Sequence, residues 1–272
     1  MTALGPDILF CPGDRPDRFG KALDRASALI IDLEDGVGPD AKAAARDHTC
    51  AALAELPLDR VVVRVNPPDG PAGSADVAAL RETGLRHVML PKAEDPAAVE
   101  ALAPWRVIAI CETARGVAAA PALAGAAGCA ALMWGGEDLI ASLGGRRSRR
   151  ADGTYLPVVT HARAAVLLAA GAAGIAAWDG VYLAIDDLAG LAAEADDAVA
   201  MGFAAKVAIH PSHAPVIRAA YAPAAEDVAR AREVLEAAAR AGEGAVRVHG
   251  RMIDGPLLAQ ARAVVAAAER LA

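Results

Sequence analysis

An α/β fold, a TIM or (β/α)8 barrel with a C-terminal helical extension, is what this chain predicts, on three observations. About eight short apolar or β-branched runs recur up to residue 209, and each is apolar along its length, as strands buried on both faces are. The stretches between them are rich in alanine and spaced as helices are. No GxGxxG follows the first run, where a doubly wound dinucleotide fold would need it.

In order, the runs are ILFC (8–11), ALIIDL (28–33), RVVVRV (60–65), HVML (87–90), RVIAIC (106–111), AALMW (130–134), DGVYL (179–183) and KVAI (206–209). Stretches such as 39–56 and 161–174 supply the helices between them. Strand then helix, repeated about eight times, closes most simply into a parallel barrel. A further helix over 225–242, a short extended piece over 245–256 and a terminal helix then exceed what a barrel needs. No linker, repeat or low-complexity segment marks a second domain. The expected organisation is one domain, with a barrel over 1–222 and an extension over 223–272 that packs on the barrel or on a neighbouring subunit.

With 272 residues, 55% of them hydrophobic, the chain has enough to bury a large core. A net charge of −7 and 3% aromatic residues argue against nucleic acid as a partner. Cys11, Cys50, Cys111 and Cys129 show no CxxC spacing and read as reduced core residues. There is no leader-like start and no apolar run near the ~20 residues that span a bilayer. A cytoplasmic protein without a membrane partner is expected.

Barrels of this kind carry reactive groups where the strands end and the loops converge. Seven of the eight runs end in polar motifs: CPGDRP, DLEDG, RVNPP, LPKAE, CETARG, WGGEDL and IHPS. Glu112 and Asp138 follow the adjacent fifth and sixth runs. Neighbouring strands lie about 4.8 Å apart, so the two carboxylates can share one cation, and Mg²⁺ suits such a pair. The bland alternative is that both simply favour helix N-termini. Arg64 either grips a substrate carboxylate in two-point contact or pairs structurally with Glu34 or Asp32. Lys92 is a candidate Schiff-base lysine or a salt-bridge partner of Glu94 or another carboxylate. His210 is a general base or an orienting residue. The basic run RRSRR (146–150) is a phosphate clamp, a solvated face or a subunit contact.

Taken together, FCPGDRPDRFGKAL, LIIDLEDGVGPDAK, VVRVN, VMLPKAE, ICETARG, WGGEDLIASLGG, GFAAKVAIHPS and GRMIDGP resemble the citrate lyase beta-subunit family, within the HpcH/HpaI aldolase and citrate lyase superfamily. The motifs run in order from residue 10 to 256. The segment RRSRRADG (146–153) is similar to that of stand-alone actinobacterial members acting on coenzyme A thioesters. The resemblance implies a homotrimer, Mg²⁺ on Glu112 and Asp138, Arg64 on the keto-acid carboxylate or carbonyl, and Asp254 reaching a neighbouring subunit's site as acid or base. Two departures, Gly136 and Ala205, touch neither expected ligand.

The strand ends and the resemblance together nominate Arg64, Asp254 and Glu34 for catalysis. Arg64, Asn66, Gly135, Gly136, Glu137 and Lys92 are nominated for substrate binding, and Gly13 and Arg15, with the RRSRR run, for the thioester phosphates. The expected activity is Mg-dependent, reversible cleavage of a β-hydroxyacyl-CoA to acetyl-CoA and a keto acid. The alternatives are the beta subunit of a multi-component citrate lyase acting on a citryl-acyl carrier protein, malate-synthase-like thioesterase activity on the same enolate chemistry, or a metabolite-binding protein without chemistry.

Overall fold

The structure is a computed structural model that describes residues 4–241, 245–248 and 250–271. Eight parallel strands, β1 (Asp7–Pro12), β2 (Ala28–Asp32), β3 (Val61–Arg64), β4 (His87–Leu90), β5 (Arg106–Cys111), β6 (Cys129–Trp134), β7 (Ala176–Asp179) and β8 (Ala205–Ala208), pair in sequence order. The eighth pairs with the first, so the barrel closes. Helices α1 (Phe19–Arg25), α2 (Lys42–Leu53), α3 (Pro71–Arg81), α4 (Pro96–Glu100) and α5 (Ala114–Gly125) each follow a strand. Two helices, α6 (Gly136–Ser142) and α7 (Pro157–Ala173), separate β6 from β7, and α8 (Leu188–Met201) precedes β8.

Local chemistry sets these boundaries. Proline at the first turn starts α3, α4 and α7, where a missing N–H costs nothing. The side chains of Asp95, Thr113 and Asp187 accept backbone N–H groups at the starts of α4, α5 and α8. Gly174 and Gly202, at φ 69° and 101°, end α7 and α8 in the left-handed conformation that glycine adopts without a Cβ clash.

Strand side chains alternate between the two faces of a sheet, so every second residue of each strand enters the barrel. Ile8, Ala28, Ile30, Val62, Met89, Ile108, Ile110, Ala131, Met133, Trp178, Ala205 and Val207 make that interior one packed cluster. Continuing the same alternation upward brings Asp32 after Ile30, Arg64 after Val62 and Glu112 after Ile110. The pleat that fills the core thus also aims these three residues at the C-terminal mouth.

One strand differs from the expected boundary. β7 ends at Asp179 rather than beginning there. Asp179 is fully buried, and its carboxylate takes bonds from Lys206 (2.8 Å), Arg163 (2.9 and 3.1 Å) and Trp134 Nε1 (2.8 Å). Those partners hold it at the end of the strand, on the face opposite the inward Trp178, and the chain leaves the sheet at Gly180. The stretch 39–56 likewise divides, into a 3-10 turn at Pro39–Ala41 and then α2.

The chain forms two compact units, one extending to Ile217 and the other from Arg218. Helix α9 (His213–Tyr221) spans the boundary. The second unit contains α10 (Ala225–Ala241), an antiparallel pair β9 (Val246–Val248) and β10 (Arg251–Ile253), and α11 (Gly255–Leu271), with α10 packed on α11. The short extended piece is therefore a hairpin. No helix among the described residues is long and apolar enough to cross a membrane.

Lys206 has no exposure, and its ammonium also bonds Glu194 and the Gly180 carbonyl. Removing one partner from such a buried ionic group strands the others without water. Asp179→Ala is expected to cost about 3–5 kcal/mol of stability by urea denaturation; a loss below about 1 kcal/mol would show that the network is replaceable.

Candidate active site

A cavity of about 370 Å³ opens at the C-terminal mouth of the barrel. Phe10, Ile110, Met133 and Val181 give it an apolar floor, while Asp32, Arg64, Glu112 and Asp138 supply its charge. Asp32 and Arg64 stand side by side in the register of β2 and β3. Both Asp32 oxygens accept from the Arg64 fork at 2.7 Å, and Glu34 closes on Nη1 at 3.0 Å. The Arg64 guanidinium lies 4.8 Å above the Phe10 ring. The structural pairing of Arg64 with Asp32 and Glu34 is thus realised. Guanidinium has five N–H donors and two are hydrogen-bonded, both to Asp32; the Nη1–Glu34 contact is an ion pair without a hydrogen bond, so three donors, both of Nη1 among them, remain uncommitted among the described residues.

Glu34 is buried and bridges Arg64 to Lys92. Burial pushes its carboxyl up, opposed by those two cations. It holds the cations beneath the cavity and is not among the residues lining it. The Lys92 ammonium also approaches Asp35 (3.2 Å) and Asp138 (3.8 Å). Its salt bridges therefore run to these carboxylates, while Glu94 accepts from Thr113 at 2.6 Å. Burial opposes the charge on Lys92, but Glu34 and the neighbouring acids outweigh it and raise its pKa. An ammonium so held is a poor Schiff-base nucleophile.

Lys92 adopts φ 47°, a left-handed conformation uncommon outside glycine. In that conformation its N–H donates to Glu112 Oε1 at 2.9 Å. Glu112 is buried, and burial together with the nearby Asp138 charge raises its carboxyl to about 7. Gly135 makes room for it: a Cβ there would lie 2.9 Å from both Glu112 Cβ and Oε2. A Cβ at Gly136 would lie 3.2 Å from Trp134 and 3.3 Å from Val159. Both glycines line the cavity.

The adjacent carboxylates of the EDL sequence part company. Both lie in the first turn of α6 and line the cavity, but Asp138 has much of its side chain exposed, whereas Glu137 accepts a hydrogen bond from the Ser148 hydroxyl. Asn66 serves the scaffold, since its buried amide donates to the Leu33 carbonyl and to Asp76, each at 2.7 Å. It is not among the lining residues. His210 is exposed and turned to Ser212. Arg15 is half-buried and paired with Asp17. Asp254 sits in the second unit between β10 and α11, and its carbonyl accepts from Leu258 N–H at 2.9 Å. All four cysteines are free, but only Cys11 and Cys111 are core residues as expected, while Cys50 and Cys129 are half-buried; burial pushes the Cys11 thiol up to about 11 and Cys111 to about 12.

Sequence reasoning missed Asp35, Trp134 and Tyr155 as cavity residues and named Arg149 only as part of the RRSRR run. Asp35 belongs to the DLEDG turn and Arg149 to RRSRR, so both motifs were visible; which side chain turned inward was not.

Around the Lys92 corner, five carboxyl groups (Asp32, Glu34, Asp35, Glu112 and Asp138) meet two cations, Arg64 and Lys92. That imbalance, with Glu112 held near 7, fits an added divalent cation. The donors are oxygens, and no group of three or more His, Cys, Asp or Glu side chains suited to a metal occurs among the described residues. Magnesium, which takes one or two protein carboxylates and completes its shell with water and substrate, matches this set better than zinc.

Comparison with known proteins agrees with the geometry. The family model described as HpcH/HpaI aldolase/citrate lyase matches residues 7–211. A citrate lyase subunit beta-like protein of Mycobacterium tuberculosis is 50% identical over 267 residues, 97% of this chain and 96% of the relative. A (3S)-malyl-CoA thioesterase of Cereibacter sphaeroides is 34% identical over 286 residues, 97% and 95% of the two chains. The crystal structure of CitE from M. tuberculosis in complex with magnesium, acetoacetate and coenzyme A superposes with a TM-score of 0.93 at 48% identity, covering 99% of this chain and 100% of that one. The chain belongs to the HpcH/HpaI aldolase/citrate lyase family and is an enzyme of its carbon–carbon lyase type.

Proposed function

We propose that this cavity carries out reversible cleavage of a β-hydroxyacyl-CoA, of the malyl-, citramalyl-, citryl- or 3-hydroxy-3-methylglutaryl-CoA type, to acetyl-CoA and a keto acid, with Mg²⁺ held by Glu112 and Asp138. The observation that carries this reading is that Glu112, directly after β5, and Asp138, in the first turn of the helix after β6, both line the cavity, with burial and the Asp138 charge raising Glu112 to about 7. The complex of the CitE relative with magnesium, acetoacetate and coenzyme A supports it.

Bound magnesium supplies Lewis-acid stabilisation of negative charge on the substrate hydroxyl oxygen. Arg64, fixed by Asp32 and Glu34, directs its uncommitted donors to the keto-acid carboxylate, so orientation is set before substrate arrives. Lys92 holds Glu34 through its ammonium and Glu112 through its backbone N–H. With its pKa lowered, the substrate hydroxyl would lose its proton to solvent; the carbon–carbon electron pair then passes to the thioester side, leaving a keto acid and an acetyl-CoA enolate that must gain a proton. Asp254, contributed by a neighbouring subunit of a homotrimer, donates it and removes it again in the reverse direction. Water attack on the thioester is a second outcome, supported by likeness to the (3S)-malyl-CoA thioesterase.

Incubating the purified protein with the four thioesters, with Mg²⁺ or EDTA, and following products by mass spectrometry tests the proposal. Acetyl-CoA release is expected to fall at least ~100-fold with EDTA or in the Glu112→Ala, Asp138→Ala double variant. Release indifferent to both would overturn the metal reading. Free coenzyme A and hydroxy acid in place of acetyl-CoA would favour the thioesterase.

Proton release gives an independent check. A nearby cation favours the charged form of Glu112, whose carboxyl lies at about 7 without it. Adding Mg²⁺ in weak buffer at pH 7 is expected to release roughly half a proton per ion, and close to none at pH 9, where Glu112 is already ionised. Equal release at both pH values would contradict the assignment.

A further inference from the structure

The run RRSRR contains one residue that turns fully inward. Ser148 is 4% exposed, while Arg146, Arg147 and Arg150 face solvent. It opens a small antiparallel arm between α6 and α7: Leu156 N–H donates to the Ser148 carbonyl and Arg150 N–H to that of Thr154, each at 2.8 Å, and Arg149 bridges to Tyr155. The arm is fastened to the barrel. Arg149 lies 3.7 Å over the Tyr155 ring and bonds Glu194 of α8 at 2.7 Å. Tyr155 donates to Glu194 at 3.1 Å and meets the Trp134 ring edge-on at 5.4 Å.

This fastening bears on α6. That helix has only seven residues and no side-chain cap, because its N-cap is Gly135, which the room needed by Glu112 keeps small. A short uncapped first turn frays unless something outside it holds it. The Ser148 hydroxyl bonds the Glu137 carboxylate in that turn, one residue before Asp138.

We propose that Ser148 is a positioning residue for the cation site: by holding Glu137 it fixes the first turn of α6 and leaves Asp138 as the carboxylate offered to the ion. This rests on the reading of Glu112 and Asp138 as the magnesium ligands. It gives Glu137 a role distinct from that of its neighbour, and gives the basic run a purpose as a brace, with the fastened Arg149–Tyr155 arm as its support.

The test is Mn²⁺ affinity of the whole protein by electron paramagnetic resonance, alongside melting temperature. Ser148→Ala and Glu137→Ala are each expected to weaken binding about tenfold with melting within a few degrees of the parent, the scale seen when a group orienting a metal ligand is lost. The double variant should be no weaker than either single one, since both remove one contact. Glu137→Gln should keep parental affinity, because its amide oxygen still accepts from Ser148. Unchanged affinity in Ser148→Ala, or an equal loss in Glu137→Gln and Glu137→Ala, would overturn the proposal. Should Ser148→Ala fail to fold, the two Glu137 variants test the same contact from its other side. If the parent binds no Mn²⁺, or binds it undiminished after Glu112→Ala with Asp138→Ala, the cation-site reading fails and this proposal with it. Parental binding with an indifferent Ser148→Ala defeats the positioning role alone.

Discussion

Carboxylates crowded at the ends of neighbouring parallel strands cannot all be ionised without positive charge among them. At this barrel mouth Asp32, Glu34, Asp35, Glu112 and Asp138 surround two cations, and the rest of the site is arranged around that shortage. Arg64 is immobilised by the acids it neutralises. Lys92 accepts a left-handed backbone to serve Glu34 with its ammonium and Glu112 with its N–H. Burial first, and the Asp138 charge second, raise the Glu112 carboxyl to about 7. On the proposed reading, a divalent ion balances the charge that the protein's own cations leave.

The same constraint explains where rigidity lies. Below the mouth, β7 and β8 enclose a second charged group, Asp179 with Lys206, Arg163 and Glu194, in which every carboxylate has a cation. Such a balanced network is a scaffold: it lends Glu194 to Arg149 and Tyr155, and Asp179 to Trp134. Balanced charge holds the wall, and unbalanced charge marks the site.

Much of this was legible in the amino acids. Strand burial follows from unbroken apolar runs, and a two-residue alternation carries Ile30 to Asp32, Val62 to Arg64 and Ile110 to Glu112, so the barrel and its charged mouth could be read together. Other features depend on rotamers and loops, which carry no periodicity. Asn66 sits at a strand end like Arg64, yet it turns to Asp76, which lies ten positions onward in α3. Glu137 and Asp138 are indistinguishable as letters; Ser148, eleven residues away, separates them. The seventh strand was misplaced because Asp179, read as the polar start of a run, is a buried strand end whose partners lie on β6, α7 and β8.

The most direct test of the account is the position of a bound ion, from anomalous scattering of crystals grown with Mn²⁺. A single strong peak within coordinating distance of both Glu112 and Asp138 is the result predicted, with Glu137 still turned to Ser148. A peak held by Asp32 and Asp35 instead, or one that Glu137 coordinates in place of Asp138, would contradict it.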